Sequence, residues 1–308
     1  MREAVLEIRG LSKKFGEIQA VKDLNLTIQR GDVYGFIGPN GAGKTTTIRM
    51  ILGLIHADAG SVRIFGHDLH KDFRATVSQV GALVESPAFY PYLTGYRNLS
   101  LFGDLSGGVD AERIQEVLKL VGLSRRAKHK VKGYSHGMKQ RLGIGLAMLA
   151  RPKLMILDEP TNGLDPQGIR EIRNLIREIS RQGEITIFLS SHLLSEMEMV
   201  TNRIGVMYRG KLIAEGEVGK LLGGSQDRVE IRVDQELKAK ALLESKFPGL
   251  ALAVPRLGWL EFKQENRDLS KINATLVQAG MAVHSISSRS RNLEDLFVEL
   301  TGESKDVY

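Results

Sequence analysis

Residues Gly38-Pro39-Asn40-Gly41-Ala42-Gly43-Lys44-Thr45 read G-x-x-x-x-G-K-[ST], directly after the apolar run 33–37 and before a helix-like segment at 46–52. No other feature narrows the fold so far, because a strand, glycine loop and helix in that order need a buried, mostly parallel sheet to hold them. Glycines let the backbone turn tightly enough for successive N–H groups to face one anion, and the helix N-terminus adds its dipole. The motif assigns the Lys44 ammonium to the β- and γ-phosphates of a nucleotide and the Thr45 hydroxyl to a magnesium ion. Gly38 through Thr45, with Thr46 after it, is the expected nucleotide-binding stretch.

Further short apolar runs at 154–157, 185–189 and 204–208 fit strands buried on both faces, with helix-period segments between them at 114–121, 140–150 and 169–181. Residues 5–8 and 24–28 alternate in period two instead, which predicts an antiparallel flap beside the main sheet. Composition shifts at Leu222-Gly223-Gly224-Ser225-Gln226, a linker signal. Beyond it, strands at 229–233, 250–254, 259–263 and 281–286 interleave with helices at 236–246 and 269–278. A last helix follows at 293–300. That β-α-β-β-α-β order predicts a small ferredoxin-like layer. A chain of 308 residues fits two domains, 1–220 and 225–308, at about 150 residues each.

Composition excludes more than it selects. With no cysteine, thiol catalysis, thiolate metal sites and disulfides are all ruled out, and a cytosolic address is the simpler expectation. No run approaches the ~20 apolar residues of a membrane span; the longest, 142–150, stops at Arg151-Pro152. The opening MREAVLEIRG has no hydrophobic region of the signal-peptide kind. A net charge of +7 allows a nucleotide, a nucleic acid or a lipid headgroup surface as an anionic partner and selects none of them.

The run Lys153-Leu154-Met155-Ile156-Leu157-Asp158-Glu159-Pro160 ends an apolar strand in two carboxylates. Such a strand delivers acidic groups to the carboxyl edge of the sheet, where open α/β folds bind ligands. Asp158 would hold magnesium through water and Glu159 would polarise a water aimed at the γ-phosphate. Alone, an acidic pair after a strand is more often a cap or a solvated turn. After the glycine loop, and followed by Thr161-Asn162-Gly163-Leu164-Asp165-Pro166, the chemical assignment prevails.

From these residues the chain resembles the ATP-binding subunit of an ABC transporter over roughly residues 1–220. Tyr134-Ser135-His136-Gly137-Met138-Lys139-Gln140-Arg141 stands in the place of the family signature, Asn162-Gly163-Leu164-Asp165 in that of the D-loop, and Ser190-Ser191-His192 in that of the switch. Phe15 sits where the family stacks an aromatic ring on adenine. The resemblance implies a P-loop NTPase fold, with a RecA-like core, an antiparallel β flap and a helical subdomain at about 86–150, plus the small C-terminal α+β domain. It also implies ATP and Mg²⁺ as ligands, and a head-to-tail homodimer in which each ATP lies between one P-loop and the signature of the other copy. There Ser135, His136, Gly137 and Met138 would meet the partner's ATP, Asp165 would serve the D-loop, and His192 would bond the γ-phosphate and orient water with Glu159.

Two positions depart from the family pattern. The signature reads Ser-His-Gly-Met where the family has Ser-Gly-Gly-Gln, so His136 adds a ring, and a variant side chain pointing away from phosphate is the plainer expectation. Glu85, in Val80-Gly81-Ala82-Leu83-Val84-Glu85-Ser86-Pro87, stands where the family has a magnesium-touching Gln, and we expect it to keep that metal role. Glu85 and the nearby Ala88-Phe89-Tyr90-Pro91 are similar to the ABC-2-type exporter branch that includes bacitracin-resistance and lantibiotic-immunity ATPases. That branch implies export of a peptide antibiotic, drug or related amphiphile through a separate transmembrane permease, from a peripheral position on the inner face of the cell membrane. By that likeness the aromatic group Phe89, Tyr90, Tyr92, Tyr96 and Phe102 forms a groove for the permease; the alternative is that it is local core. The basic run Arg125-Arg126-Ala127-Lys128-His129-Lys130-Val131-Lys132 is a solvated face or a further contact. The rival is a soluble ABC-type ATPase acting on nucleic acid or the ribosome. A single P-loop and no heptad run weigh against it, so no nucleic-acid partner is expected.

Overall fold

The computed structural model describes residues 3–85, 87–181, 185–222, 228–263, 268–289 and 292–302. Residues 223–226 of the expected linker, and Ser86, lie outside them. The chain divides into two compact units, one of Met1–Val218 together with the chain from Phe297, the other Gly219–Leu296.

The first unit opens with β1 (Ala4–Phe15), β2 (Ile18–Gln29), β3 (Val33–Ile37), α1 (Lys44–Ile51), β4 (Ala59–Ile64) and β5 (His67–Asp68). There follow α2 (Phe73–Val77), β6 (Val80–Leu83), α3 (Gly95–Leu105), α4 (Ala111–Leu120) and α5 (His136–Met148). It continues through β7 (Leu154–Leu157), α6 (Pro166–Arg181), β8 (Thr186–Ser191), α7 (Leu194–Glu198), β9 (Arg203–Tyr208) and β10 (Lys211–Glu217). After α8 (Val218–Leu221) come β11 (Arg228–Val233), α9 (Glu236–Lys246), β12 (Trp259–Lys263), α10 (Leu269–Gln278), β13 (Val283–Arg289) and α11 (Leu293–Thr301).

A six-stranded sheet of order β10-β9-β3-β8-β7-β6 forms the centre of the first unit. Every residue of β3, β7 and β8 is buried; β3 and β7 accordingly read as unbroken apolar runs, and β8 carries an apolar middle between Thr186 and Ser190-Ser191. β3 pairs in parallel with β8 and β9, and β7 pairs in parallel with β6 and β8. The segments leaving β3, β7 and β8 therefore emerge on one edge, with Ile37 opposite Ser191 and Leu157 opposite Leu189. That register alone gathers the glycine loop, the carboxylate pair and His192.

The flap is larger than its alternating stretches predict. β1 pairs antiparallel with β2 on one side and β4 on the other, so Arg9 to Phe15 are held as strand by partners rather than by their own pattern. Leu6, Ile8, Leu24 and Ile28 from this sheet join Ile48 and Ile51 of α1, and Phe36 and Phe188 of the central sheet, in one apolar cluster. The helical region uses polar caps: Thr94, Asp110 and Ser135 accept from the N–H groups of Arg97, Arg113 and Met138 at the starts of α3, α4 and α5. The Ser135 cap starts α5 four residues before the periodicity that marks it from Gln140.

In the second unit β12, β11 and β13 form an antiparallel sheet in that order, and Leu243, Leu260, Phe262, Ile272 and Leu276 belong to its core. The strand expected at 250–254 is not formed. Leu250 and Leu252 do point into the core, but only Ala253 pairs, as a single bridge with Glu261 of β12, and Pro255 has no N–H to extend it. The last helix also departs from expectation: Phe297 packs edge-on against the Tyr208 ring at 6.1 Å, which places the end of α11 with the first unit. Among the described residues no helix is long and apolar enough to cross a membrane.

Candidate functional site

The loop after β3 is built by close approach. At Gly38 an added Cβ would collide with the Met207 carbonyl oxygen, and at Gly43 it would collide with the Ala20 carbonyl. Gly43 also has φ 108°, a conformation that leaves the N-terminal N–H groups of α1 open toward a ligand. Further hydrogen bonds brace the loop, from Gly38 N–H to the Ser191 carbonyl at 3.3 Å and from Gly210 N–H to the Ala42 carbonyl at 3.0 Å.

Lys44 is buried, and all three of its donor positions are matched. Its Nζ donates to the carbonyls of Gly38 (2.7 Å) and Pro39 (3.1 Å) and pairs with Glu159 Oε1 at 3.1 Å. The other carboxylate oxygen of Glu159 lies 2.8 Å from His192 Nδ1. Because an ionised carboxylate only accepts, Nδ1 carries the proton of that bond. Glu159 has φ 46°, an unusual conformation for a residue with a side chain. Two bonds to the backbone hold it there, from Glu159 N–H to Ser190 Oγ at 2.9 Å and from Asn162 N–H to the Glu159 carbonyl at 3.0 Å.

Asp158 sits beside it, buried, with Oδ1 accepting from Ser190 Oγ at 2.6 Å. Burial pushes its carboxyl above the usual carboxylate range; hydrogen bonds from Ser190 and Thr45 pull the other way, the Glu159 charge adds to the rise and Lys44 opposes it. Thr45 and Asp158 thus already share a contact, and their donors are oxygen only, the kind magnesium takes. Ser190, placed in the switch by sequence but given no role there, joins both carboxylate residues through one hydroxyl. The signal for that role was faint: one of three small polar residues in β8, with Thr186 and Ser191, two before His192.

The remaining expected residues divide into three groups. Phe15, at the end of β1, is half exposed, with Lys13 Nζ 5.4 Å from the centre of its ring. Ser135 caps α5, and His136 turns toward the D-loop, its Nε2 3.2 Å from the Asn162 carbonyl. Gly137 and Met138 form the first turn of α5, and Asp165 accepts from Gly168 N–H at the start of α6. Glu85 stands apart from the Lys44–Glu159–His192 network: it has φ 60° and bonds Arg49 on the exposed side of α1. Near it, Tyr90 and Tyr92 are exposed, and Tyr90 stacks on Phe102 at 6.2 Å.

Comparison with known proteins finds relatives of this chain by sequence and by fold. The family described as ABC transporter matches residues 21–162. The bacitracin transport ATP-binding protein BcrA of Bacillus licheniformis is 40% identical over 298 residues, covering 97% of this chain and 97% of its own. The lantibiotic transport ATP-binding protein SrtF of Streptococcus pyogenes is 40% identical over 236 residues, 77% of this chain and 99% of its own. Among solved structures, a dimeric post-hydrolysis ATP-binding cassette bound to ADP and Pi is similar with a TM-score of 0.62. It is 26% identical and is covered over 98% of its length by 69% of this chain.

Proposed function

Since the chain belongs to the ABC transporter family as an ATP-hydrolysing subunit, we propose that two copies close head to tail over two ATP molecules. Each ATP lies between one P-loop and the partner's signature, and its hydrolysis drives export of a peptide antibiotic or similar amphiphile. The observation that carries this is the placement of Glu159 between Lys44 and His192 at the carboxyl edge of the sheet. A triphosphate offers Lys44 a denser set of anionic oxygens than two carbonyls and one carboxylate do. Drawing the ammonium away frees Glu159 Oε1 to accept a proton from water. His192, as an imidazolium with a proton on each nitrogen, donates Nδ1–H to Oε2 and its Nε2–H to the γ-phosphate. Water then attacks the γ-phosphorus, its proton passes to Glu159, and the bond to the bridging oxygen breaks to leave ADP and phosphate.

Thr45 and Asp158 would hold Mg²⁺, which when bound neutralises charge on the phosphates. Glu85, expected to touch the metal, bonds Arg49 apart from the Lys44–Glu159–His192 network, so no metal role is proposed for it. The half-exposed Phe15 would stack on adenine. Met1–Val218, with the end of α11, forms the cassette and Gly219–Leu296 an accessory α+β domain. Exposed Tyr90 and Tyr92 support a docking surface for a separate transmembrane permease, which would hold the subunit at the inner face of the membrane. Export of such a cargo is supported by relatives named for transport of bacitracin and of a lantibiotic.

The test is affinity purification of the tagged chain from detergent-solubilised membranes of its own host. A polytopic membrane protein is expected to co-purify, and ATP turnover of the pair to respond to amphiphilic peptides. A chain that purifies alone, with turnover stimulated by RNA, would overturn the assignment.

A further inference from the structure

His136 puts an imidazole where the family signature has no side chain. It is the exposed first residue of α5, just after the Ser135 cap. Its Nε2 lies 3.2 Å from the carbonyl oxygen of Asn162 in the D-loop, and since a carbonyl can only accept, Nε2 is the protonated nitrogen. Asn162 passes the connection on, donating its N–H to the Glu159 carbonyl at 3.0 Å. Glu159 in turn is bonded to Lys44 and His192. An unbroken run of polar contacts thus leads from the first turn of the signature helix to the P-loop lysine within one subunit.

Two neighbouring features hold the same elements together. Gly163, at φ 72°, brings the D-loop backbone so near the ring that an added Cβ would lie 3.4 Å from Nε2. One turn further along α5, Arg141 Nη2 pairs with Glu171 Oε2 on α6 at 3.4 Å. A glycine in place of His136 would leave the Asn162 carbonyl without this donor while the Arg141 contact remained.

We infer that His136 is a positioning residue that ties each subunit's signature to that subunit's own Glu159. Resting on the head-to-tail arrangement proposed above, this makes the tether a route between the two ATP sites. Ser135 and its neighbours serve the partner's nucleotide, whereas Glu159 serves the nucleotide of its own P-loop. Closure on one ATP then biases the hydrolytic carboxylate at the other, a coupling between sites with a stated physical path.

The test is steady-state ATP turnover by the full chain over a range of ATP concentrations, for the wild type, His136→Ala and His136→Gln. Gln keeps an N–H that can donate to the Asn162 carbonyl. The wild type is expected to give a sigmoidal curve with a Hill coefficient above 1. His136→Ala is expected to be hyperbolic, with its half-saturating ATP concentration shifted by about fivefold or more, and His136→Gln to regain the sigmoidal form. A hyperbolic wild type, a sigmoidal Ala variant, or a Gln variant as impaired as the Ala variant would each overturn the inference. ATP-driven pairing in a Glu159→Gln background separates the two failures. Pairing with unaltered cooperativity in His136→Ala removes the tether alone, whereas no pairing removes the head-to-tail arrangement beneath it.

Discussion

The carboxyl edge of the central sheet and the unit formed by Gly219–Leu296 are stabilised in different ways. At the sheet edge Lys44, Asp158, Ser190 and Ser191 are buried polar residues, and Glu85 and Glu159 take left-handed conformations. Among the described residues of Gly219–Leu296 no polar side chain is fully buried, and no residue other than glycine has positive φ. Val229, Ile231, Leu243, Leu260 and Leu276 are wholly enclosed there instead. Buried charge and backbone strain cost stability and persist where a site uses them; the second unit, whose described residues show neither, rests on apolar packing and its strand ladders.

Substitutions can break or sharpen this contrast. The largest effect is expected from Lys44→Ala, which removes the ammonium at the phosphates and should lower kcat/KM by about 10²–10³-fold; near-normal turnover would place the chemistry elsewhere. Ile231→Ala, in the fully buried centre of β11, should cost the second unit about 2–5 kcal/mol in a thermal or denaturant melt. Its ATP turnover should stay at the wild-type level, and a matching loss of kcat would erase the division between the regions. Ser190→Ala strips a hydrogen bond from the buried Asp158 carboxylate and another from Glu159 N–H. We expect about 1–3 kcal/mol of destabilisation, accompanied by a fall in kcat because Glu159 is no longer held.

The smallest effect concerns Asp158. Burial raises its folded-state pKa above the unfolded value, so its ionisation at neutral pH works against folding, and the penalty disappears as the pH falls through the folded pKa to below the unfolded one. Asp158→Asn should therefore melt above the wild type at neutral pH while losing turnover. That advantage should shrink as the buffer is made more acidic; a constant or growing advantage would contradict the assigned cause.

Sequence made the chemistry of the sheet edge legible because each element there is marked twice, by its motif and by the buried strand that precedes it. Val33–Ile37 and Leu154–Leu157 form over the residues their apolar runs mark. What stayed hidden depended on partners distant in the chain. Arg9 to Phe15 become strand only because β2 and β4 flank them. The alternation of Leu250 and Leu252 buries two side chains without producing a ladder, since burial and backbone pairing are separate requirements. Ser190 and the contact between His136 and Asn162 rest on proximity across 31 and 26 residues of chain respectively, which no local pattern announces. Glu85 was recognisable by its place in a motif, yet its partner Arg49 lies 36 residues away and was not.

The central claim is that ATP itself joins two copies of this chain and that Glu159 is what ends the union. Light scattering on Glu159→Gln with ATP and magnesium tests it directly. The account predicts a shift from the single-chain mass of 34.1 kDa to twice that value with ATP and none with ADP. A variant that binds ATP yet keeps the single-chain mass at saturating nucleotide would contradict it.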